Sequence, residues 1–330
     1  MQKMNEIKTS DKGLFADITV AVIIPCYNEE IAIASVIADF KKSVPAATIY
    51  VFDNNSTDNT VTKAIAAGAE VRKVPLQGKG NVVRRMFADV DADIYVMVDG
   101  DNTYDAKAAP SLIAKLLDDG LDMVVGSRVS EEDQAYRFGH RFGNALLTNC
   151  VAFIFGNTFT DMLSGYRIFS KRFVKSFPAQ SSGFETETEL AVHALHLRMP
   201  VAEMATQYGA RPEGASSKLN TYRDGFRILV TIVKLFKSEK PLTFFSIGFF
   251  LCNLLAIILA IPLFETFFQT GLVPRFPTAI LCSALMLFGV ILLTCGIVLN
   301  TVTKGRSEAK RFAYLACPSA SSSPAQRTRQ

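Results

Sequence analysis

The sequence predicts an α/β domain built on a mostly parallel sheet, followed by a helical membrane region. Short apolar segments alternate with helical patterns along the N-terminal part of the 330-residue chain, as in sheets whose parallel strands are joined by right-handed crossovers. Four of the first five strand-like segments end in polar or charged residues, where ligands collect in such sheets. Two later segments, residues 242–263 and 276–299, are apolar and long enough to cross a bilayer core of about 30 Å.

The strands are predicted from short apolar runs bounded by turn residues, and the helices from apolar residues that recur on one face. A helix follows the first strand, a second spans residues 60–67, and another spans about 106–117. The predicted strands are residues 18–24, 48–52, 70–74, 94–98 and 121–125, with an edge strand at 201–208.

Two carboxylates follow the most apolar of these strands. Ile94–Val98 is an uninterrupted apolar run, which predicts a strand buried on both faces, and Asp99 and Asp101 come directly after it. At the rim of a cleft, two carboxylates either repel each other or hold a hard cation such as Mg²⁺ or Mn²⁺. An Asp-Gly-Asp triplet alone is also typical of a surface turn. Its position after a buried strand favours the metal site.

A glycine-rich turn and a later loop are candidate phosphate sites. The turn Gln77–Gly80 places Lys79 just before a helix, where backbone N–H groups can approach a phosphate, although an ordinary turn fits equally well. The loop over residues 209–218 carries Arg211 and Lys218 and is expected to close over a diphosphate.

Other basic residues have two interpretations. Arg137, His140 and Arg141 begin a long helical pattern over residues 137–155, where a bound anion or solvated charge would explain them. His193 and His196 lie three residues apart on a later helix. We discount them as metal ligands because no third ligand is evident, and packed or exposed helix histidines are commoner.

The membrane region has basic flanks. Lysine and arginine residues precede the first apolar segment and follow the second, so the positive-inside rule puts both chain ends in the cytoplasm. The preceding helix has aromatic and aliphatic residues on one side, as helices in a membrane interface do. No signal peptide is expected in the polar N-terminal segment. The expected parts are a polar segment at 1–17, the α/β domain at 18–218, an amphipathic interfacial helix at 219–240, two transmembrane helices at 241–300 and a disordered cytoplasmic tail at 301–330.

Composition limits the class of partner. The hydrophobic fraction of 49% is high for a purely soluble protein. The net charge of +4 is mild, and the basic residues cluster near the membrane region, which favours a membrane surface or a phosphate over nucleic acid. The six cysteines show no metal-ligand spacing and are expected to be free thiols.

Short motifs occur in order along residues 18–240, namely Ile24–Glu30, Asp53–Asp58, Gly78–Gly80, Val98–Asp101, Gly126–Arg128, Leu163–Arg167, Gly183–Glu187 and Tyr208–Gly214. Together they resemble family 2 glycosyltransferases of the polyprenyl-phosphate sugar synthase type, such as dolichol-phosphate mannose synthases. The resemblance implies a GT-A fold, which is Rossmann-like with a mostly parallel sheet. It also implies inverting transfer of a hexose from UDP-glucose or GDP-mannose to undecaprenyl or dolichyl phosphate. The implied cofactor is Mg²⁺ or Mn²⁺, the implied partners include membrane lipid and no nucleic acid, and a homo-oligomer is left open.

The resemblance also implies roles for residues at matching positions. Asp99 and Asp101 would bind the metal, with Asp101 the firmer ligand, and Arg128 and Arg141 would hold the acceptor phosphate. Arg211 would cover the donor diphosphate. The residues implied to bind the nucleotide sugar are Pro25, Tyr27, Asn28, Glu29, Asp53, Lys79, Asp99 and Lys218. Those implied to be catalytic are Asp99, Asp101, Arg128, Arg141 and Arg211.

The residue types suit this reaction. Departure of the sugar builds negative charge on the β-phosphate, which a metal and cationic side chains stabilise. A phosphate monoester is largely ionised near neutral pH, so a general base is optional, and Glu185, Glu187 and Asp161 are interpreted as structural, with a direct role as the alternative. Two positions depart from the family pattern. The donor loop reads Asp-Asn-Asn at residues 53–55 where many members have Asp-Asp-Gly, and Ala145 stands where some relatives have a hydroxyl.

Three alternatives remain beside this interpretation. A processive polysaccharide synthase typically carries a Gln-x-x-Arg-Trp motif, and the chain contains no Trp. Transfer to a protein or soluble glycan would not require membrane helices. A catalytically silent membrane scaffold would have no need for the intact set Lys79, Asp99, Asp101, Arg128 and Arg211.

Overall fold

A seven-stranded sheet lies at the centre of the α/β domain in the computed structural model, which describes residues 18–129, 151–154, 156, 159–183, 185–210 and 221–319. The strands are β1 (Val20–Cys26), β2 (Thr48–Asp53), β3 (Glu70–Lys73), β4 (Ile94–Met97), β5 (Met123–Val129), β6 (Arg167–Ser170) and β7 (Val201–Gln207). Their order across the sheet is β3-β2-β1-β4-β6-β5-β7. Only β6 runs antiparallel to its neighbours in this described sheet. The prediction of a mostly parallel sheet is therefore confirmed, as is the edge position of β7.

Two features of the sheet differ from the prediction. Strand β6 was not predicted, because it is four residues long and begins with the charged Arg167. Strand β5 extends beyond its predicted end at residue 125 and includes Arg128, which pairs with Thr206 of β7. Pairing with β7 along its whole length keeps β5 extended, which its own sequence does not reveal.

Helices cover the sheet and bury its apolar strands. The sequence pattern after β1 predicts a helix with Val36, Ile37, Phe40 and Val44 on one face. The helix buries Val36, Ile37 and Phe40 together with Ile33, and Val44 is buried just after its last residue. The helices of this part are α1 (Ile33–Ser43), α2 (Thr60–Ala66), α3 (Lys79–Asp89), α4 (Ala109–Asp118), α5 (Lys171–Ser176) and α6 (Thr186–Leu197), with a 3₁₀ turn at Ala106–Ala108 before α4.

Some predicted features lie outside the described residues. Of the predicted helix at residues 137–155, residues 151–154 are helical, and residues 137–150 and 155 lie outside the described residues. The same holds for the N-terminal segment at 1–17 and for the last residues, 320–330. Individual predicted residues outside the description are Arg137, His140, Arg141, Ala145, Cys150, Arg211 and Lys218.

Three helices follow the sheet: α7 (Thr221–Glu239), α8 (Pro241–Thr270) and α9 (Phe276–Leu315). Helices α8 and α9 are each long and apolar enough to cross a membrane. The buried residues of α9 are small and recur every seven positions, at Cys282, Gly289, Gly296 and Thr303. Such spacing lets two helices approach closely along one seam. A side chain at Gly289 would collide with Asn253 of α8.

The predicted disordered tail at residues 301–330 is wrong for its first part. Helix α9 continues to Leu315, well past the apolar segment. Tyr314 Oη donates a 2.8 Å hydrogen bond to Asp122 Oδ2, and Arg172 Nε donates to the carbonyl oxygen of Cys317 across 2.9 Å. These contacts order the segment. Residues 310–330 accordingly group with residues 1–232 in one compact unit, and residues 233–309 form another.

Candidate functional site

The carboxyl ends of β1 and β2 bring the first group of predicted donor-site residues together. Cys26 pairs with Asp53 in the parallel register, so the segments that follow both strands are adjacent. Asn28 Oδ1 accepts a 2.8 Å hydrogen bond from the Thr57 N–H, and the Glu29 N–H donates to Thr60 Oγ1 across 2.8 Å. The residues placed at this edge are Pro25, Tyr27, Asn28, Glu29 and Asp53.

Asn54, one of the departures from the family pattern, has a structural role. Its Oδ1 accepts a 2.7 Å hydrogen bond from the Gly78 N–H, and its Nδ2 donates to the carbonyl oxygens of Val74 and Leu76 at 3.0 and 2.8 Å. The side chain is buried. Asn54 therefore holds the turn that leads to Lys79, and an aspartate could not donate these two hydrogen bonds.

The glycines on either side of Lys79 are required by the packing of the protein itself. Gly78 has a φ of +126°, and a Cβ there would collide with the carbonyl oxygen of Ser182. A Cβ at Gly80 would collide with the backbone of Ser181, and the Gly80 N–H donates to Ser182 O across 3.2 Å. Glu189 in turn accepts hydrogen bonds from the Gln180 and Ser181 N–H groups, each 2.8 Å long. The start of α3 is thus tied to α6.

Lys79 lies between two carboxylates. Its Nζ is 2.6 Å from Asp99 Oδ1 and 2.6 Å from Glu187 Oε1. Burial alone would lower the pKa of Lys79, but the two negative charges outweigh it and raise that pKa above its ordinary value. The ammonium group therefore stays charged across the physiological range. This contact brings together Lys79 and Asp99, which the resemblance implied to bind the nucleotide sugar, and places Glu187 beside them.

Asp99 and Asp101 follow β4 as predicted. Asp101 is buried, and its Oδ1 accepts a 2.6 Å hydrogen bond from the Thr103 hydroxyl. Asp99 packs against Gly165, where a Cβ would collide with its carboxylate. The described residues contain no cluster of three or more His, Cys, Asp or Glu side chains that could enclose a metal ion. Two carboxylates nevertheless suit Mg²⁺ or Mn²⁺, which often take their other ligands from substrate phosphates and water.

Arg128 on β5 has a carboxylate partner that the sequence did not reveal. Its Nε and Nη2 each donate a 2.7 Å hydrogen bond to Asp161. The guanidinium carbon also lies 5.6 Å from the ring centroid of Tyr208. The predicted phosphate-binding arginine is therefore held in a defined orientation by its own protein.

Asp161 is in turn positioned by Glu203 of β7. The Glu203 carboxylate accepts hydrogen bonds from the backbone N–H of Thr160 at 2.9 Å, from its hydroxyl at 2.7 Å and from the Asp161 N–H at 3.1 Å. Arg167 supports the same turn from inside the protein, where its fully buried side chain donates to the carbonyl oxygens of Ser164 and Met162. Together these groups hold the turn that carries Asp161.

A cavity of about 880 Å³ opens beside the segment that follows Asp101. Its lining includes Asn102, Thr103 and Tyr104 from that segment, together with Gln207 and Tyr208 at the end of β7. Tyr208 is also the ring beneath Arg128. The cavity therefore lies on the side of the site where the arginine is held.

The first of the two helix histidines packs against aromatic rings. His193 is buried, its Nε2 lies 3.1 Å from Ser176 Oγ, and its ring packs edge-on against Phe173 and Phe177. Packed and exposed positions were both predicted for these helix histidines, and His193 has the packed one. The ion pair of Glu187 with Lys79 and the hydrogen bonds of Glu203 could not be predicted from local sequence, because only the fold brings these partners together.

Comparisons with curated proteins identify several relatives. Protein RfbJ of Shigella flexneri is 64% identical over 129 residues, which cover 39% of this chain and all of RfbJ. Glycosyltransferase AglJ of Haloferax volcanii is 36% identical over 233 residues, covering 70% of this chain and 76% of AglJ. A dolichyl-phosphate hexose transferase of the same organism is 28% identical over 221 residues, covering 67% of this chain and 95% of that protein.

A solved structure supports the same fold. Glucosyl-3-phosphoglycerate synthase from Mycobacterium tuberculosis, in complex with Mn²⁺ and UDP-glucose, is similar at a TM-score of 0.55 and 25% identity, covering 68% of this chain and 82% of that one. The sheet and its helices therefore have the GT-A fold. The family model for glycosyl transferase family 2 matches residues 21–176, which run from β1 to α5 and include every strand of the sheet except β7. With the relatives above, this match shows that the chain belongs to glycosyltransferase family 2.

Proposed function

We propose that this protein transfers a hexose from a nucleoside diphosphate sugar to a polyprenyl phosphate, with inversion at the anomeric carbon. The observation that carries the proposal is that one compact unit contains two ion pairs. Lys79 contacts Asp99 at the proposed donor site, and Arg128 is held by Asp161 at the proposed acceptor site. The first suits a diphosphate and a divalent cation, and the second suits a phosphate monoester. Helices α8 and α9 suit an acceptor that resides in a membrane.

The comparisons support the proposal by analogy. One relative is named a dolichyl-phosphate hexose transferase, and another a hexosyltransferase of low-salt glycan biosynthesis. The structural neighbour was solved with Mn²⁺ and UDP-glucose, so UDP-glucose is the first donor to test, with GDP-mannose as the alternative. Undecaprenyl and dolichyl phosphate are the proposed acceptors.

In the proposed mechanism, an oxygen of the acceptor phosphate attacks the anomeric carbon while the bond from that carbon to the donor diphosphate breaks. Arg128 holds the acceptor, and Asp161 keeps the guanidinium in position. Lys79 offers positive charge to the departing diphosphate. A divalent cation on Asp99 and Asp101 would supply further charge stabilisation. The predicted contributions of Arg141, Arg211 and Lys218 belong to the same proposal.

The proposed location is the cytoplasmic face of a membrane. Lysine and arginine residues flank the apolar segments, and α7 is proposed to lie in the interface. Phe226, Leu229 and Val233 of α7 are exposed, as such a helix requires.

The test is transfer of labelled hexose by the purified full-length protein. UDP-glucose and GDP-mannose are each supplied with polyprenyl phosphate and either Mg²⁺ or Mn²⁺. We expect a labelled lipid with one donor, and loss of that product in Asp101→Ala but not in the control Asp118→Ala, which changes an exposed aspartate. Failure of both donors would contradict the proposed function, and an unimpaired Asp101→Ala variant would contradict the metal role.

A further inference from the structure

Lys79 lies where a second cation would have to bind. Its ammonium group contacts Asp99, one of the two candidate metal ligands, at 2.6 Å. The side chain is only 11% exposed, so water does little to weaken this contact. Glu187 holds the same ammonium group from α6 at 2.6 Å and is itself buried. Among the described residues, Glu187 Oε2 has no hydrogen-bond partner.

A divalent cation bound to Asp99 would be repelled by the positive charge of Lys79, which contacts the same carboxylate. Like charges that share one carboxylate repel each other, and the repulsion is stronger in a partly buried site than in water. A divalent cation doubles that repulsion. Either the metal binds weakly while Lys79 stays, or Lys79 moves away from Asp99.

The second carboxylate gives Lys79 a place to remain. The start of α3, which carries Lys79, is tied to α6 through the Gly80 contact with Ser182 and the hydrogen bonds of Glu189 to residues 180 and 181. Glu187 is on the same helix as Glu189. Lys79 can therefore leave Asp99 and keep its contact with Glu187 while the backbone of both elements stays in place.

We propose that Lys79 is a built-in counter-ion which a divalent cation displaces from Asp99, and that Glu187 is the positioning residue that retains Lys79 when this happens. The inference rests on the proposed function, because it assumes that Asp99 and Asp101 bind a metal. It deepens that function by making metal binding the event that releases the lysine to the donor diphosphate. Glu187 acts through Lys79 and touches no reacting atom.

The first test measures Mn²⁺ binding to the full-length protein, without nucleotide, by the electron paramagnetic resonance signal of free Mn²⁺. Removing the competing charge in Lys79→Met should tighten Mn²⁺ binding by about fivefold to tenfold. Lys79→Arg keeps the charge and should not tighten it. The matched control is Lys171→Met, which removes the lysine of another lysine–aspartate pair, 2.9 Å from Asp91 at the surface, and should leave Mn²⁺ affinity unchanged.

The second test concerns Glu187. In Glu187→Gln, Lys79 keeps Asp99 as its charged partner, so Mn²⁺ binding should weaken by roughly threefold or more. The change in Mn²⁺ affinity is thus opposite to that in Lys79→Met, and a glutamate with a merely structural role would not produce this difference. In the Lys79→Met background the effect of Glu187→Gln should shrink, since there is no lysine left to retain.

Each outcome has a clear meaning. Mn²⁺ affinity that is unchanged or weaker in Lys79→Met overturns the competition, and unchanged affinity in Glu187→Gln overturns the role of Glu187. Circular dichroism melts identify a variant that does not fold. If Lys79→Met does not fold, the Mn²⁺ affinities of Lys79→Arg and Glu187→Gln test the proposal instead: the first should be no tighter than that of the wild type, and the second should be weaker. If the wild-type protein makes no lipid-linked sugar, but Lys79→Met binds Mn²⁺ more tightly and Glu187→Gln more weakly, the proposed function is refuted and this inference stands.

Discussion

Arg128 and Asp161 form a two-point ion pair in which the Nε and Nη2 of the arginine each donate to the carboxylate across 2.7 Å. The Arg128 backbone N–H adds a third hydrogen bond to Asp161, 3.1 Å long. The two side chains are 16% and 9% exposed, so solvent screens the pair only in part. The plane of the guanidinium is set before any ligand arrives, which lowers the entropic cost of binding one.

Loss of this pair should impair use of the acceptor. Asp161→Asn removes the charge that orients Arg128, and we expect kcat/KM for polyprenyl phosphate to fall by about tenfold or more. Donor binding should be nearly unchanged. Steady-state kinetics with each substrate varied in turn make the measurement. The control is Asp89→Asn, which breaks the surface pair of Arg85 and Asp89; an equal loss in both variants would contradict the role of Asp161.

Glu203 should contribute to both stability and acceptor use. Glu203→Gln places an amide donor among the N–H groups of Thr160 and Asp161, which we expect to lower the free energy of unfolding by about 1–2 kcal/mol. The acceptor kcat/KM should fall with it, because Asp161 loses its support. Thermal melts and kinetics test this against Glu70→Gln, an exposed glutamate of β3. If Glu203→Gln is destabilised but keeps the wild-type kcat/KM for the acceptor, the role of Glu203 is structural only.

Gly165 should tolerate no side chain. A methyl group there would collide with the Asp99 carboxylate, so Gly165→Ala must displace either Asp99 or the turn that carries Gly165. Overpacking of this kind costs about 1–3 kcal/mol, and we expect weaker Mn²⁺ binding and loss of transferase activity. Gly120→Ala is a control for the loss of a glycine, since a Cβ there meets no atom within 4 Å, although its φ of +62° adds backbone strain. Normal Mn²⁺ binding by Gly165→Ala would show that the position of Asp99 is not critical.

His193 should make stability depend on pH. Burial, aided by the charge of Lys310, lowers the pKa of His193 to about 3, whereas an unfolded histidine titrates near pH 6.5. The unfolded chain therefore binds a proton first, and the stability that neutral His193 contributes is present above about pH 6.5 and is lost as the pH falls from about 6.5 towards 3.

The slope is at most about 1.4 kcal/mol per pH unit from this group. In melts at about pH 7 and about pH 5, His193→Gln should lose less stability on acidification than the wild type. His196→Gln, on the same helix, removes a smaller contribution to the lowered pKa of His193 and should keep most of the acid sensitivity, because burial is the largest cause. Equal acid sensitivity of wild type and His193→Gln would contradict this prediction.

The sequence predicted the sheet because its strands are apolar runs that local pattern reveals. It did not predict β6, whose buried Arg167 donates to carbonyl oxygens of the preceding turn and to the sulfur of Met123. The sequence predicted that Lys79, Asp99 and Arg128 lie at the ends of strands or the start of a helix, and in a parallel sheet such positions commonly bind ligands. Their partners Glu187 and Asp161 are distant in the chain, and only the folded sheet brings them near.

The contacts of Tyr314 with Asp122 and of Arg172 with Cys317 constrain how the chain can cross a bilayer. They make residues before and after the apolar helices parts of one folded body. An odd number of crossings between them would divide that body between two compartments. The number of membrane crossings between these residues must therefore be even, as it is with two spans. This conclusion does not depend on the charges that flank the apolar helices.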